Sequence, residues 1–167
     1  FPTRRSSDLK HPVARQRLVP LRAALDLVVN VLDGLGFAHE EGVVHQDIKP
    51  ANIMVDGRTK RPLIADFGIA KTAQAEYRAK GLIVGTPMYL SPEQAAARDT
   101  DHRTDIYAMG VILFELLAGM LPLRKEPVKQ LLIRKVKMPD TVYLRKPSEC
   151  SPHIDAPMEH IILKAVA

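Results

Sequence analysis

The 167 residues are 46% apolar and 26% charged, a composition that supports one packed core and excludes a disordered chain. The formal net charge of +5 comes from scattered residues such as Arg15, Arg22, Lys60, Arg78 and Lys137, with no basic stripe interleaved with aromatics, so no nucleic-acid partner is expected. The single cysteine, Cys150, excludes an intramolecular disulfide and suits a cytoplasmic location, and no apolar run or signal-peptide pattern points to a membrane segment in this chain.

Residues 1–9, FPTRRSSDL, are polar and basic and show no periodicity. They are also the translated reading of the adapter sequence TTCCCTACACGACGCTCTTCCGATCT, so a non-native segment is expected there, with the domain proper occupying 10–167. A short helix and a loop are predicted over 10–20. A long helix follows over 21–41, because Leu21, Leu25, Val28, Val29, Leu32, Leu35 and Phe37 broadly follow helical spacing, and Gly42 supplies a C-terminal cap. His39, near its end, reads as a packing residue. Two short strands are predicted over 53–55 and 63–65, joined by a turn at Asp56-Gly57. A polar loop covers 69–84. The segment 104–117 is apolar nearly all round, which predicts a buried helix closed by Gly119. Over 127–136 another helix puts Val128, Leu131, Leu132 and Lys135 on one face and its charges on a solvated side. A proline-rich loop over 137–157 leads to a last helix from 158, with Ile161, Ile162 and Ala165 inward. The fold class is mainly α with a small β-hairpin region.

The chemistry concentrates in His45-Gln46-Asp47-Ile48-Lys49-Pro50-Ala51-Asn52, a polar loop between Val43-Val44 and Ile53-Met54-Val55. Pro50 fixes its own φ and biases Lys49 away from helix. Asp47 can accept a proton from a hydroxyl, Lys49 can sit on a phosphate as a point charge, and Asn52 offers a neutral oxygen to a hard cation such as Mg2+. These are the parts of a phosphoryl-transfer site. The plainer alternative is a polar turn whose Asp47 and Asn52 bond only to local backbone.

The loop resembles the protein-kinase catalytic loop, H-R-D-L-K-P-x-N, with Gln46 where that family usually has Arg. Asp66-Phe67-Gly68, at the end of the second strand, resembles the family's metal-binding triplet. Gly85-Thr86-Pro87-Met88-Tyr89-Leu90-Ser91-Pro92-Glu93 resembles the close of its activation segment, with Ser91 where many members have Ala. The resemblance implies the large, C-terminal lobe of a bacterial-type serine/threonine protein kinase, acting on a protein substrate with ATP and Mg2+. It implies that Asp47 orients the acceptor hydroxyl and Lys49 steadies the phosphoryl group and nucleotide. Asn52 and Asp66 would bind Mg2+ and through it the nucleotide. Phe67 would pack into the core and Gly68 would let the backbone flip. Thr86 would bond Asp47 and Lys49, and Glu93 would anchor to an arginine lying beyond Ala167. His45 and Asp105 would support the catalytic loop, Asp105 by accepting bonds from its backbone.

The small lobe of the family is not recognisable in the sequence. There is no Gly-x-Gly-x-x-Gly, no strand lysine of the Val-Ala-Ile-Lys type and no partner-glutamate helix before the catalytic loop. The chain alone is therefore expected to lack appreciable kinase activity and, with an uncovered surface, to be poorly soluble. Gln46 cannot pair with a phosphate, and the 71–84 stretch offers only Thr72 and Tyr77 as acceptors, so the intact enzyme is expected not to depend on phosphorylation of this loop. Two rivals remain: a pseudokinase or binding module of the same fold, and a kinase-like small-molecule phosphotransferase. Lys49 and the 85–93 segment favour protein substrates.

Overall fold

In the computed structural model, residues 9–10, 19–67 and 86–167 are described. Their elements run β1 (Leu9–Lys10), α1 (Leu21–Glu40), β2 (Ile53–Asp56), β3 (Pro62–Ile64), α2 (Pro92–Ala95), α3 (Arg103–Ala118), α4 (Val128–Lys137), α5 (Pro147–Cys150) and α6 (Ala156–Ala165). The polar loop predicted over 69–84 lies outside the described residues, with Gly68, Gly85, Thr72 and Tyr77. So do residues 11–18 of the predicted first helix.

The helix predicted to be buried on every side is α3. From Thr104 to Leu117 it exposes only Ile106 and Glu115 to any degree, and α1 and α6 both pack against it. Full burial of a side chain such as Phe114 or Ile112 contributes about 1.5–3 kcal/mol, so this helix supplies much of the core's stability. At Gly110 a Cβ would stand 2.6 Å from the Cβ of Ala165, so the missing side chain is what lets α6 approach so closely. The helix stops at Gly119, whose φ of 77° is left-handed and whose N–H donates to the Glu115 carbonyl at 2.8 Å.

In α1 the buried stripe is Ala24, Val28, Val31 and Leu35, spaced four, three and four residues apart as a helix face requires. This corrects the sequence expectation at three positions: Leu21 is 37% exposed, Val29 52% and Phe37 68%, each off the stripe. Gly42, with φ 73°, follows the helix end as predicted and donates to the His39 carbonyl.

The sheet has the order β1-β2-β3 and is antiparallel, with Ile53 opposite Ile64 and Met54 opposite Leu63. Its turn is built by Asp56, whose Oδ1 accepts from the N–H groups of Arg58 and Thr59, both at 2.8 Å. The strand β1, paired to Asp56 and Val55, was not predicted, since two residues carry no periodicity.

The 137–157 stretch is more structured than its prolines suggested. Pro139 opens a single 3-10 turn (Pro139–Thr141) and Pro147 opens α5, each at a first position where the missing N–H costs nothing. The last helix, α6, starts earlier than predicted because the Asp155 carboxylate accepts the Met158 N–H at 2.9 Å and caps it. Ile162 points into the core, but Ile161 is 54% exposed rather than inward. No helix among the described residues is long and apolar enough to cross a membrane.

Candidate active site

Asp105 sits in the first turn of α3 and is fully buried. Its Oδ2 accepts the His45 N–H at 2.9 Å and its Oδ1 accepts the Gln46 N–H at 2.8 Å. His39 Nε2 lies 2.8 Å from the same Oδ2, so the histidine read as a packing residue is a polar partner of the loop's anchor. Gln46 needs this hold. Its φ of 67° is left-handed, a conformation costing a non-glycine residue roughly 1–2 kcal/mol. The Gln46 carbonyl is held as well, accepting from Gln94 Nε2 at 2.7 Å.

His45 is buried beside it. Its Nε2 is 2.8 Å from the Ala65 carbonyl, which can only accept, and its Nδ1 accepts the Asp47 N–H at 3.2 Å. Together these bonds fix the tautomer with the proton on Nε2. The ring meets Phe67 edge to face at 4.8 Å, but Phe67 is 39% exposed rather than packed into the core as expected, because the His45 ring covers only part of it.

Lys49 Nζ donates to Asp47 Oδ2 at 2.6 Å, a charge-assisted bond between half-buried side chains. Asn52 closes a 3-10 turn, Pro50–Asn52, begun by Pro50. Its Nδ2 donates to the Asp47 carbonyl at 2.8 Å and lies 3.3 Å from Asp47 Oδ2. The amide nitrogen thus faces Asp47 and the amide oxygen faces away. The Ala65 N–H donates to the Asn52 carbonyl at 2.9 Å, so one residue after β3 bonds both ends of the loop, His45 and Asn52. Asp66 follows directly, with a left-handed φ of 63° and an exposed carboxylate. Among the described residues no cluster of three or more His, Cys, Asp and Glu could hold a metal unaided. Asn52 Oδ1 and the Asp66 carboxylate, on stretches joined through Ala65, are the hard oxygens available to a cation. That set fits Mg2+ sharing its remaining positions with water and phosphate.

The third wall is the 86–95 segment. The Tyr89 N–H donates to the Thr86 carbonyl at 3.0 Å, and Thr86, Tyr89 and Leu90 line one small cavity with Asp47 and Lys49. The Tyr89 hydroxyl donates to Glu115 Oε2 at 2.6 Å, and burial, together with that carboxylate, pushes the phenol's pKa up. Ser91 caps α2 through a capping box, its Oγ accepting from the Gln94 N–H and its own N–H donating to Gln94 Oε1. Glu93 Oε1 accepts from the Thr104 hydroxyl at 2.8 Å. Lys135 of α4, placed by helical spacing on the face of Leu131 and Leu132, is only 1% exposed, whereas Val128 of that expected face is 51% exposed. Its Nζ donates to the carbonyls of Met88 and Leu90, both at 2.7 Å, and lies 3.1 Å from the Tyr107 hydroxyl. Burial pulls its pKa down to about 7.

Of the residues singled out by sequence, His45, Asp47, Lys49, Asn52 and Asp105 form one bonded unit beside Asp66, with Phe67 in ring contact with it; Thr86 lines a cavity with Asp47 and Lys49 but does not make the expected bonds to them. Glu93 is engaged with Thr104, and Gly68 lies outside the described residues. Sequence reasoning missed Gln94, Glu115 and Lys135. The spacing Ser91-x-x-Gln94 is a capping-box signature, and Lys135 lies four residues after buried Leu131, so two of the three left a trace.

With this geometry in hand, the chain can be set against known proteins. The protein kinase domain family matches it over residues 3–165. The serine/threonine-protein kinase Pkn1 of Myxococcus xanthus is 40% identical over 151 residues, covering 87% of this chain and 21% of Pkn1. Serine/threonine-protein kinase pkn3 of the same organism is 36% identical over 169 residues, covering 96% of this chain and 30% of that relative. Two crystal structures of the Mycobacterium tuberculosis PknI kinase domain match with TM-scores of 0.63 and 0.69 at 28% and 27% identity. They cover 90% and 96% of this chain and 48% and 55% of theirs. The chain thus spans about half of those kinase domains and 21–30% of these two curated relatives. It belongs to the protein kinase domain family, among the bacterial-type serine/threonine-protein kinases.

Proposed function

We propose that the full-length protein carrying this chain transfers the γ-phosphoryl group of ATP to serine and threonine hydroxyls of proteins in the cytoplasm. The observation that carries this reading is the pair of bonds made by Ala65, to Asn52 and to His45 Nε2, which holds Asp66 beside the Asp47 loop. In this reading Asp47 accepts a hydrogen bond from the acceptor hydroxyl and takes its proton as the new O–P bond forms and the bond from the γ-phosphorus to the bridging oxygen breaks, releasing ADP. Lys49, which bonds Asp47 Oδ2, supplies positive charge where the phosphoryl group passes. Thr86, which lines a small cavity with Asp47 and Lys49, would stand beside the acceptor. Asn52 Oδ1 and the Asp66 carboxylate would hold Mg2+, which neutralises charge on the nucleotide phosphates.

The chain by itself is inactive in this proposal. Its sequence has no glycine-rich phosphate lid and no strand lysine, and phosphoryl transfer depends on positioning and charge stabilisation. The test offers the full-length protein Mg-ATP with a generic protein or an aminoglycoside. Transfer to serine and threonine of the protein, absent from residues 10–167 alone and lost in Asp66→Asn, is expected. Transfer to the aminoglycoside alone, or an undiminished Asp66→Asn, would overturn the reading.

A further inference from the structure

The segment next to Asp47 owes its shape to two side chains that cannot reach a substrate. One is Glu115 of α3, which accepts the Tyr89 hydroxyl at 2.6 Å. The other is Lys135 of α4, whose amine meets the carbonyls on either side of Tyr89. Tyr89 is thus pinned by its ring to one helix and by its flanking backbone to another. A loop has no ladder to satisfy its carbonyls, and buried carbonyls need donors. Here the Met88 and Leu90 carbonyls take theirs from a single nitrogen. The third direction at that nitrogen is the Tyr107 hydroxyl at 3.1 Å, and the ring of Tyr107 lies 4.7 Å away. An ammonium donates to all three oxygens. A neutral amine still donates to both carbonyls while its lone pair accepts the Tyr107 O–H. The tether therefore keeps its two backbone bonds in either protonation state.

We propose that Lys135 is a positioning residue for the acceptor: by holding the Met88 and Leu90 carbonyls it sets the Thr86–Leu90 turn against Asp47, and so sets how a serine or threonine side chain of a polypeptide reaches that carboxylate. The inference rests on the kinase reading above. It follows from adjacency: Thr86, Tyr89 and Leu90 line one small cavity with Asp47 and Lys49, which puts the turn beside that carboxylate. An acceptor hydroxyl that reaches Asp47 passes this turn, whereas the oxygens that would hold the metal belong to Asn52 and Asp66, on the other loops. Loosening the turn changes acceptor binding and leaves nucleotide binding alone. Arginine is no substitute, because its planar fork cannot converge three bonds on one point in a closed space.

The experiment compares full-length wild type with Lys135→Met, which keeps the length and removes the donors, and Lys135→Gln, which keeps a donor pair. Expected is a rise on the order of tenfold in KM for a serine/threonine peptide in Lys135→Met and a smaller rise in Lys135→Gln. KM for ATP should stay within about twofold of wild type, since a positioning role at the acceptor side leaves uniform nucleotide binding intact. The Tyr89 amide should exchange faster with solvent in both variants. Peptide and ATP constants rising together, or a peptide constant unchanged in both variants, would overturn the proposal. If Lys135→Met fails to fold, Lys135→Gln alone decides by the same criterion. A wild type that phosphorylates no protein would remove the kinase reading and this inference with it. An active wild type matched by both variants, or by Lys135→Gln where Lys135→Met does not fold, would remove this inference only.

Discussion

Two loops meet at the site, and each is held by one buried charge on a helix, of opposite sign. Asp105 on α3 collects the N–H groups of His45 and Gln46, and Lys135 on α4 supplies N–H groups to the carbonyls of Met88 and Leu90. The anion stands in a helix first turn, where the dipole favours it, and His39 adds a third bond. The cation has only neutral oxygens around its nitrogen, and burial draws its pKa down to about 7. The difference teaches what each loop needs. The Asp47 loop contains a left-handed Gln46 that must be held against its own preference, and a buried carboxylate with three bonds does that. The Thr86–Leu90 turn has no such strain, and a group that can shed its charge while keeping its bonds suffices.

The comparison breaks first at the anion. Asp105→Ala strands two buried backbone N–H groups and His39, and should cost about 3–5 kcal/mol of stability, read by chemical denaturation of the full-length protein. A loss under about 1 kcal/mol would mean that water or a neighbour replaces Asp105 and that the loop needs no fixed charge.

The cation sharpens it. Burial lowers the folded pKa of Lys135 from 10.5 to about 7, so between those values the unfolded chain binds a proton that the folded chain does not. The sign follows: stability from this group is full above 10.5 and declines as pH falls toward about 7. Tyr107, pushed by burial up to about 12, together with Tyr89 and Tyr143, works in the opposite sense once the unfolded phenols ionise near 10, so the useful range ends there. Asp140, Arg145, Lys146 and Glu149 line the cavity that Lys135 also lines, and they remain in the reference protein. Wild-type stability minus that of Lys135→Met should therefore rise with pH from 7 to 10, by up to a few kcal/mol. A flat difference would mean that burial does not lower the Lys135 pKa.

The smallest effect comes from Ser91, the cap that aligns Gln94 with the Gln46 carbonyl. Ser91→Ala should cost about 1 kcal/mol, seen as a small drop in melting temperature. A larger loss would make the Ser91 contact with Thr104 Oγ1 at 3.1 Å, rather than the cap, the dominant role.

Much of this was legible in the residues. The α3 run from Ile106 to Leu117 has too few polar positions to be anything but buried, and Gly42 and Gly119 stand where left-handed backbone ends a helix. The Asp47 loop could be read because its chemistry is packed into eight consecutive residues. What escaped reading depends on distant contacts. Lys135 shares a face with Leu131 and Leu132, but a lysine at such a position is ordinarily solvated. The carbonyls of Met88 and Leu90, more than forty residues away, and the Tyr107 hydroxyl explain its burial. The pairing of β1 and the exposure of Phe37 likewise depend on what lies opposite in space.

The account stands most directly on Asp47. In the full-length enzyme, phosphoryl transfer from Mg-ATP to a serine/threonine peptide should fall by on the order of 10² or more in Asp47→Asn, with the melting temperature held. Transfer by that variant at the wild-type rate would contradict it.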